Sequence, residues 1–273
     1  MADKRVTPAR PDLAAAHLKG AVDAPRYADG EKFSIGVGRT SLRVRPSADA
    51  AQDSELLFGE VFTVYDRSGG WAWGQAVNDL YVGYVAEEAL AAPFATQAKI
   101  GALLAPVFSA ADLKTPVREL LPLNAAVPLK AREGDYVKIA DGHYLHQRHL
   151  AAEIEKDFVA VAERFLGAPY VWGGKTAAGL DCSGLIQTAL QAVGKAAPRD
   201  TDMMEKALGD AVPLSDVRRG DLIFWKGHMG VMLDEKRLLH ANAFHMVVAI
   251  EPLADAIARI EKAAGPVTSV KRL

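Results

Sequence analysis

Cys182 is the only cysteine in the chain of 273 residues. It stands in GLDCSGL, after an aspartate and before a serine and a glycine, where a loop is expected to become a helix. A thiol in the first turn of a helix faces unpaired backbone N–H groups and the positive end of the helix dipole. Both favour thiolate over thiol. The stretch therefore predicts a nucleophile of lowered pKa. Asp181 is the expected N-cap, Gly184 is expected to leave room for a substrate against the backbone, and the local N–H is a candidate oxyanion donor. The competing reading is a buried cysteine acting as a small hydrophobe.

A thiolate that transfers acyl groups needs a base, and the base needs a group to orient it. The seven histidines are the candidates. His228, in DLIFWKGHMGVML, starts a strand after a glycine turn and just before the small Gly230. His240, in RLLHANAFH, ends an apolar strand expected to be its hairpin neighbour. That pairing predicts two imidazoles side by side, one touching the thiol and one holding the first. His143, His146 and His149 fall in an earlier β-rich stretch as surface or tip residues, His245 falls in an expected solvated turn, and His17 lies in the N-terminal arm.

The elements that must position these groups divide the chain into modules. Residues 1–32 read as an arm with one short helix, capped by Asp12, carried by Leu13 to Lys19 and ended by Gly20. Residues 33–92 are short β-rich runs, SLRVRP, EVFTVYD, WAWGQA and YVGYVA, separated by turn residues as in a small barrel. Residues 93–150 repeat that plan weakly: LLFGEVFTVYDRSGGWAWGQA in the first copy answers to LLPLNAAVPLKAREGDYVKIA in the second. Residues 151–273 change composition again. A helix is expected with Ile154, Phe158, Val161, Ala162 and Phe165 on one face, then a second from about Cys182 to Val193. The runs DLIFW, MGVML, RLLHA and VVAIE follow as mostly antiparallel strands, an α+β arrangement.

With a formal net charge of −2, neither nucleic acid nor an anionic membrane is the expected main partner. A lone cysteine excludes an internal disulfide and a cysteine-built metal site, and no metal or cofactor is expected. The first twenty residues lack the continuous apolar core of a secretory signal, and no stretch approaches the roughly 18 apolar residues of a membrane span. A cytoplasmic protein with a reduced thiol is the expectation; the oligomeric state is left open.

Three separated motifs, PYVWGGKTAAGLDCSGLIQ, RGDLIFWKGHMGVML and LLHANAFHMVVAIEP, resemble the NlpC-type papain-like cysteine peptidases of bacterial cell-wall turnover, over about residues 155–260. The resemblance implies Cys182 as nucleophile, His228 as general base, His240 as the residue orienting it, and Tyr170 with its hydroxyl in the oxyanion site. It also implies that Asp181 and Ser183 contact substrate beside the nucleophile. PRDTDMM resembles the family's Arg-Asp-Ser/Thr segment, placing Arg199, Asp200 and Thr201 by the diamino-acid side of the cleft; Met204 stands where many members carry glutamine. The two β-rich modules resemble the bacterial SH3-like modules that accompany such peptidases. By that resemblance Glu60 and Tyr81 of the first would receive the free α-amine of an N-terminal L-alanine. The implied activity is hydrolysis of the γ-D-glutamyl–L-diamino acid bond of free murein peptides in peptidoglycan peptide recycling. A thiol amidase or acyltransferase on another substrate, and a catalytically vestigial peptidoglycan-binding module, are the alternatives.

Overall fold

The N-terminal arm is sheet where a helix is expected. Leu13–Ala15 is a buried strand between Ala9–Arg10 and Tyr27–Ala28, and only Ala16–Leu18 makes a helical turn, of the 3-10 type. Asp12 caps nothing: its carboxylate binds Arg10 and Arg26. An isolated helix of seven residues is well below the length at which helices persist in water, so burial of the apolar triplet as a strand wins. The computed structural model describes residues 3–140 and 142–273, so the first two residues of the arm lie outside the described residues.

The chain forms two units, Met1–Ala152 and Glu153–Leu273. In the first, the strands Arg39–Arg43, Gln52–Leu57, Val61–Ser68, Trp71–Ala76 and Val82–Ala86 lie side by side in the order third, fourth, fifth, first, second. Glu31–Ile35 and Leu90–Ala91 extend that sheet to seven strands. The strands Leu104–Phe108, Val117–Pro122, Ala131–Glu133, Tyr136–Ala140 and His143–His146 have the same neighbours in a sheet of five. Each set of strands ends in a 3-10 turn, Glu87–Ala89 and Gln147–His149. The weak sequence repeat is thus a repeat of strand order. Each set closes over its own core, Phe62, Val64, Ala72 and Val85 in one and Val107, Leu121, Val137 and Leu145 in the other.

The second unit is an antiparallel six-stranded sheet with four helices. Helix α1 is Phe158–Glu163, shorter than the apolar spacing predicts. Asp157 sets its start by accepting from the Val159 and Ala160 amides, which leaves Ile154 outside the helix and exposed. Helix α2 is Cys182–Ala192 and packs on the strands His228–Met232 and Arg237–Asn242. Helices α3, Thr201–Ala207, and α4, Leu253–Ala264, complete the set. The strand Ser269–Arg272 returns from α4 to pair with Leu222–Trp225 on one side and the edge strand Asp210–Ala211 on the other. Leu253, Ala256 and Ile260 of α4 cover the face bearing Ile223, Trp225, Met232 and Leu238.

The start of α2 is held down by glycine contacts. A Cβ on Gly184 would lie 2.1 Å from the carbonyl oxygen of Gly174, and one on Gly174 would lie 2.3 Å from that of Gly179. Gly184 therefore seats the loop 171–174 on the helix, and the room expected there for substrate is filled by backbone. Gly184→Ala is expected to lower stability by about 1–3 kcal/mol, the usual cost of forcing a methyl into a packed site. Urea unfolding checks this, and an unchanged midpoint would show that the loop yields freely.

Candidate active site

Asp181 is the hub of the site. As N-cap of α2 it accepts from the Gly184 amide at 2.7 Å, and its other oxygen accepts from the Gly173 amide at 2.8 Å. Arg199 closes on both oxygens, Nη1 at 3.0 Å and Nη2 at 2.6 Å, and also donates to Ser183 Oγ at 2.8 Å. Arg199 is 1% exposed and Asp181 6%. Arg199, read from sequence as a cation for the substrate, is paired with Asp181, and Asp181 and Ser183, read as substrate contacts, both bond Arg199. The three neutralise and bond one another behind the nucleophile, because a buried charge needs a partner in the fold.

Cys182 opens α2 as expected, but its proton affinity runs against expectation. Burial pushes the thiol up from its ordinary range, and the neighbouring Asp181 carboxylate adds to the effect. The Thr201 hydroxyl, 3.6 Å from the sulfur, the Met229 backbone amide and Arg199 pull the other way. Thr201, read from sequence as a contact to the diamino acid, thus lies against the sulfur. Tyr170 is half-buried, and its phenol is pushed up to about 12 by burial and by Cys182 and Asp181, so it stays a neutral hydrogen-bond donor. Asp200 is half-buried as N-cap residue of α3, and Met204 is fully buried within that helix, an apolar core residue.

The imidazoles sit where the hairpin pairing predicts. His228 faces Trp225 across the turn, and His240 lies one strand further on. His228 Nε2 and His240 Nδ1 are 2.9 Å apart, which leaves Nδ1 of His228 as its remaining ring nitrogen. The residue after His228 is Met229, whose amide touches the sulfur, so the strand that starts with His228 runs directly past the thiol. Gly230 permits the imidazole pair: a Cβ there would lie 3.0 Å from the Cβ of His240. Burial lowers both histidines to about 3, with His240 and Arg259 opposing a proton on His228 and Arg259 and His245 opposing one on His240. Sequence reasoning missed Glu251, whose Oε1 lies 2.7 Å from His240 Nε2, and Arg259, which binds that carboxylate. The signal was present in VVAIEP, where Glu251 is two residues from Ala249, the register partner of His240, and so on its face.

In the first unit Glu60 is buried, and its two oxygens accept from the Leu57 amide at 3.0 Å and Asn78 Nδ2 at 2.9 Å. Tyr81 is buried in the core of the seven-stranded sheet. Among the described residues, His240, His245 and Glu251 are the one group whose ligand atoms are close enough to hold a metal, and Arg259 on Glu251 opposes a cation there.

A buried thiol at a helix start, a strand amide against it and a coupled pair of neutral imidazoles define a thiol-dependent acyl-transfer site. Residues 167–260 match the NlpC/P60 family, and residues 42–90 match the bacterial dipeptidyl-peptidase SH3 domain. A gamma-D-glutamyl-L-lysine dipeptidyl-peptidase of Bacillus subtilis (strain 168) is 32% identical over 156 residues, 50% of this chain and 51% of its own length. One of the same name from Bacillus cereus (strain ATCC 10987 / NRS 248) is 27% identical over 235 residues, 74% of this chain and 70% of its own. The chain thus spans about half the length of the first relative. A crystal structure of an NlpC/P60 family protein from Bacillus cereus ATCC 10987 shares the fold with a TM-score of 0.75 at 19% identity, covering 89% of this chain and 99% of that one.

Two outcomes follow from these proton affinities. With the thiol raised and His228 lowered, the resting pair is neutral. Alkylation of Cys182 by iodoacetamide should be slow at neutral pH and keep accelerating through the alkaline range, and a plateau of fast alkylation in mildly acidic buffer would show a preformed thiolate. The second concerns stability. The folded histidines lie near 3 against 6.5 when unperturbed, so below about pH 6.5 the unfolded chain binds more protons and stability falls as pH falls towards 3. Each histidine adds about 1.4 kcal/mol per pH unit within that window. Unfolding free energies of wild type and His240→Asn, compared between pH 6.5 and 5, should differ in slope by close to one proton; equal slopes would contradict the assignment.

Proposed function

We propose that the protein is a cysteine peptidase that hydrolyses the γ-D-glutamyl–L-diamino acid bond of murein peptides carrying a free N-terminal L-alanine, in peptidoglycan peptide recycling. The observation that carries the reading is the Cys182 thiol at the start of α2, against the Met229 amide of the strand that begins with His228 and followed through His228 by His240. The names of the two Bacillus relatives support the bond class.

In this reading Cys182 Sγ attacks the scissile carbonyl carbon as its proton passes to His228. The new oxyanion is met by the Tyr170 hydroxyl and the Cys182 amide, one of the first-turn amides without an intrahelical acceptor. His228 then returns the proton to the leaving amine, a thioester remains on Cys182, and water attacks it with His228 again taking the proton. Neutral resting groups suit this sequence, since the proton moves only as the S–C bond forms. Asp200 is the carboxylate left for the amine of the diamino acid, now that Arg199 and Asp181 are engaged with each other. Glu60 is assigned to the α-ammonium of L-alanine, supported by its burial and by the two donors that keep its carboxylate oriented, with Tyr81 beside that role. The papain-like architecture, and an SH3-like identity for the five-stranded sheet, belong to the same proposal; the repeated strand order supports the latter.

The test is mass spectrometry of products from L-Ala-γ-D-Glu-diaminopimelate and from its N-acetylated form. Wild type should release L-Ala-D-Glu from the free peptide, and Cys182→Ala should release none. N-acetylation should cost hundreds-fold in kcat/KM, because a buried ammonium–carboxylate pair broken on one side costs about 3–5 kcal/mol, and Glu60→Gln should erase most of that preference. Ammonia or sugar-linked lactyl products would replace the peptidase reading with an amidase one, and equal rates on both peptides would remove Glu60 from the assignment.

A further inference from the structure

The relay behind Cys182 does not stop at His240. His240 is fully buried, and its Nδ1 is taken by His228 Nε2 at 2.9 Å. Its other nitrogen, Nε2, lies 2.7 Å from Glu251 Oε1, off the line of a straight hydrogen bond. A bare nitrogen lone pair and a carboxylate oxygen repel at that distance, so Nε2 of His240 carries the hydrogen on the side facing the carboxylate and Nδ1 is bare. A bare Nδ1 must accept, so His228 Nε2 donates, and the lone pair of His228 is left on Nδ1. The same oxygen of Glu251 is clamped by the Arg259 guanidinium, which stacks over Phe244 at 4.4 Å, so the carboxylate is held in place. Turning this chain round, with Nδ1 of His240 protonated, would put the proton of His228 on Nδ1 and leave no base.

We propose that Glu251, clamped by Arg259, is a positioning residue for the reaction: it sets the tautomer of His240, and through it that of His228, so that His228 offers Nδ1 as the base. This rests on the thiol-peptidase reading above. Orienting carboxylates of this kind matter chiefly through the tautomer they impose; in a serine-protease triad the loss of that tautomer costs about 10⁴-fold in kcat. Glu251 acts one imidazole further away, and an effect of about 10- to 100-fold is expected on that scale.

The experiment uses the full chain as wild type, Glu251→Ala and the isosteric Glu251→Gln, with histidines labelled with nitrogen-15. In wild type, NMR should show His228 and His240 both neutral and both protonated at Nε2. Glu251→Ala should mix or reverse the tautomers, lower kcat by about 10- to 100-fold and leave KM within about twofold. Glu251→Gln, whose amide oxygen still accepts from Nε2–H, should keep more of both the tautomer and kcat. The alkylation rate of Cys182 by iodoacetamide at neutral pH should fall with the tautomer, and this readout needs no substrate. Wild-type tautomers persisting in Glu251→Ala would overturn the proposal whatever kcat does, since a merely structural loss would spare them. Shifted tautomers with unchanged kcat and alkylation would overturn it too. If wild type leaves the murein peptide intact, the peptidase reading fails, while NMR and alkylation still decide the relay.

Discussion

The carboxylate of Asp181 ties together more of the catalytic unit than any other group. It caps α2, fixes the loop 171–174 through the Gly173 amide, and anchors Arg199, two residues before Thr201 at the start of α3. Each of these elements delivers something to the sulfur: α2 its backbone start, the preceding segment Tyr170, and α3 the Thr201 hydroxyl. A buried ion pair of this kind contributes little net stability, because desolvation offsets the attraction, yet removing one partner typically costs about 3–5 kcal/mol. Its effect is on geometry. Arg199 and Asp181 exclude arrangements in which the loop, the helix and α3 meet in any other way, since all of those would strand a charge.

Burial, and after it the charge of Asp181, explains why the thiol is not the thiolate that a helix start would favour. The dipole of α2 acts at its N-terminus, but so does the negative charge of its own cap, and the site is buried. In such surroundings separated charges are the costly state, for the thiol and for the imidazoles alike. Cys182 and His228 therefore rest as a neutral pair rather than as thiolate and imidazolium. Charge appears only when a substrate carbonyl is present to receive the sulfur and donors are in place for the oxygen, which couples reactivity to occupancy.

Much of the site was legible in the sequence, and the parts that were not share a cause. The Asp-Cys start of α2, the strand beginning at His228 and the pairing of His228 with His240 depend on local spacing and hairpin register, which short stretches encode. The pairing of Arg199 was not legible because its partner lies eighteen positions away, and nothing local says that a cation is buried. Glu251 was passed over for the same reason: its meaning comes from sheet register, two residues along from the strand partner of His240. The helical arm failed because tertiary burial of Leu13–Ala15 overrode a weak local signal. α4 was a plain oversight, since Leu253, Ala256, Ile257 and Ile260 stand at helical spacing.

Glycine makes the dense packing of these groups possible. Gly174 and Gly184 let the loop lie on the first turn of α2 at a separation where any side chain would meet backbone, and Gly230 lets two strands bring imidazoles to 2.9 Å. None of the three has a positive φ, so what they supply is absence of bulk rather than conformational freedom. Polar chains as tight as His228–His240–Glu251–Arg259 need backbones closer than paired side chains normally allow. The glycines and the charges are therefore one device: the former set the spacing at which the latter can hold a single proton arrangement behind the sulfur.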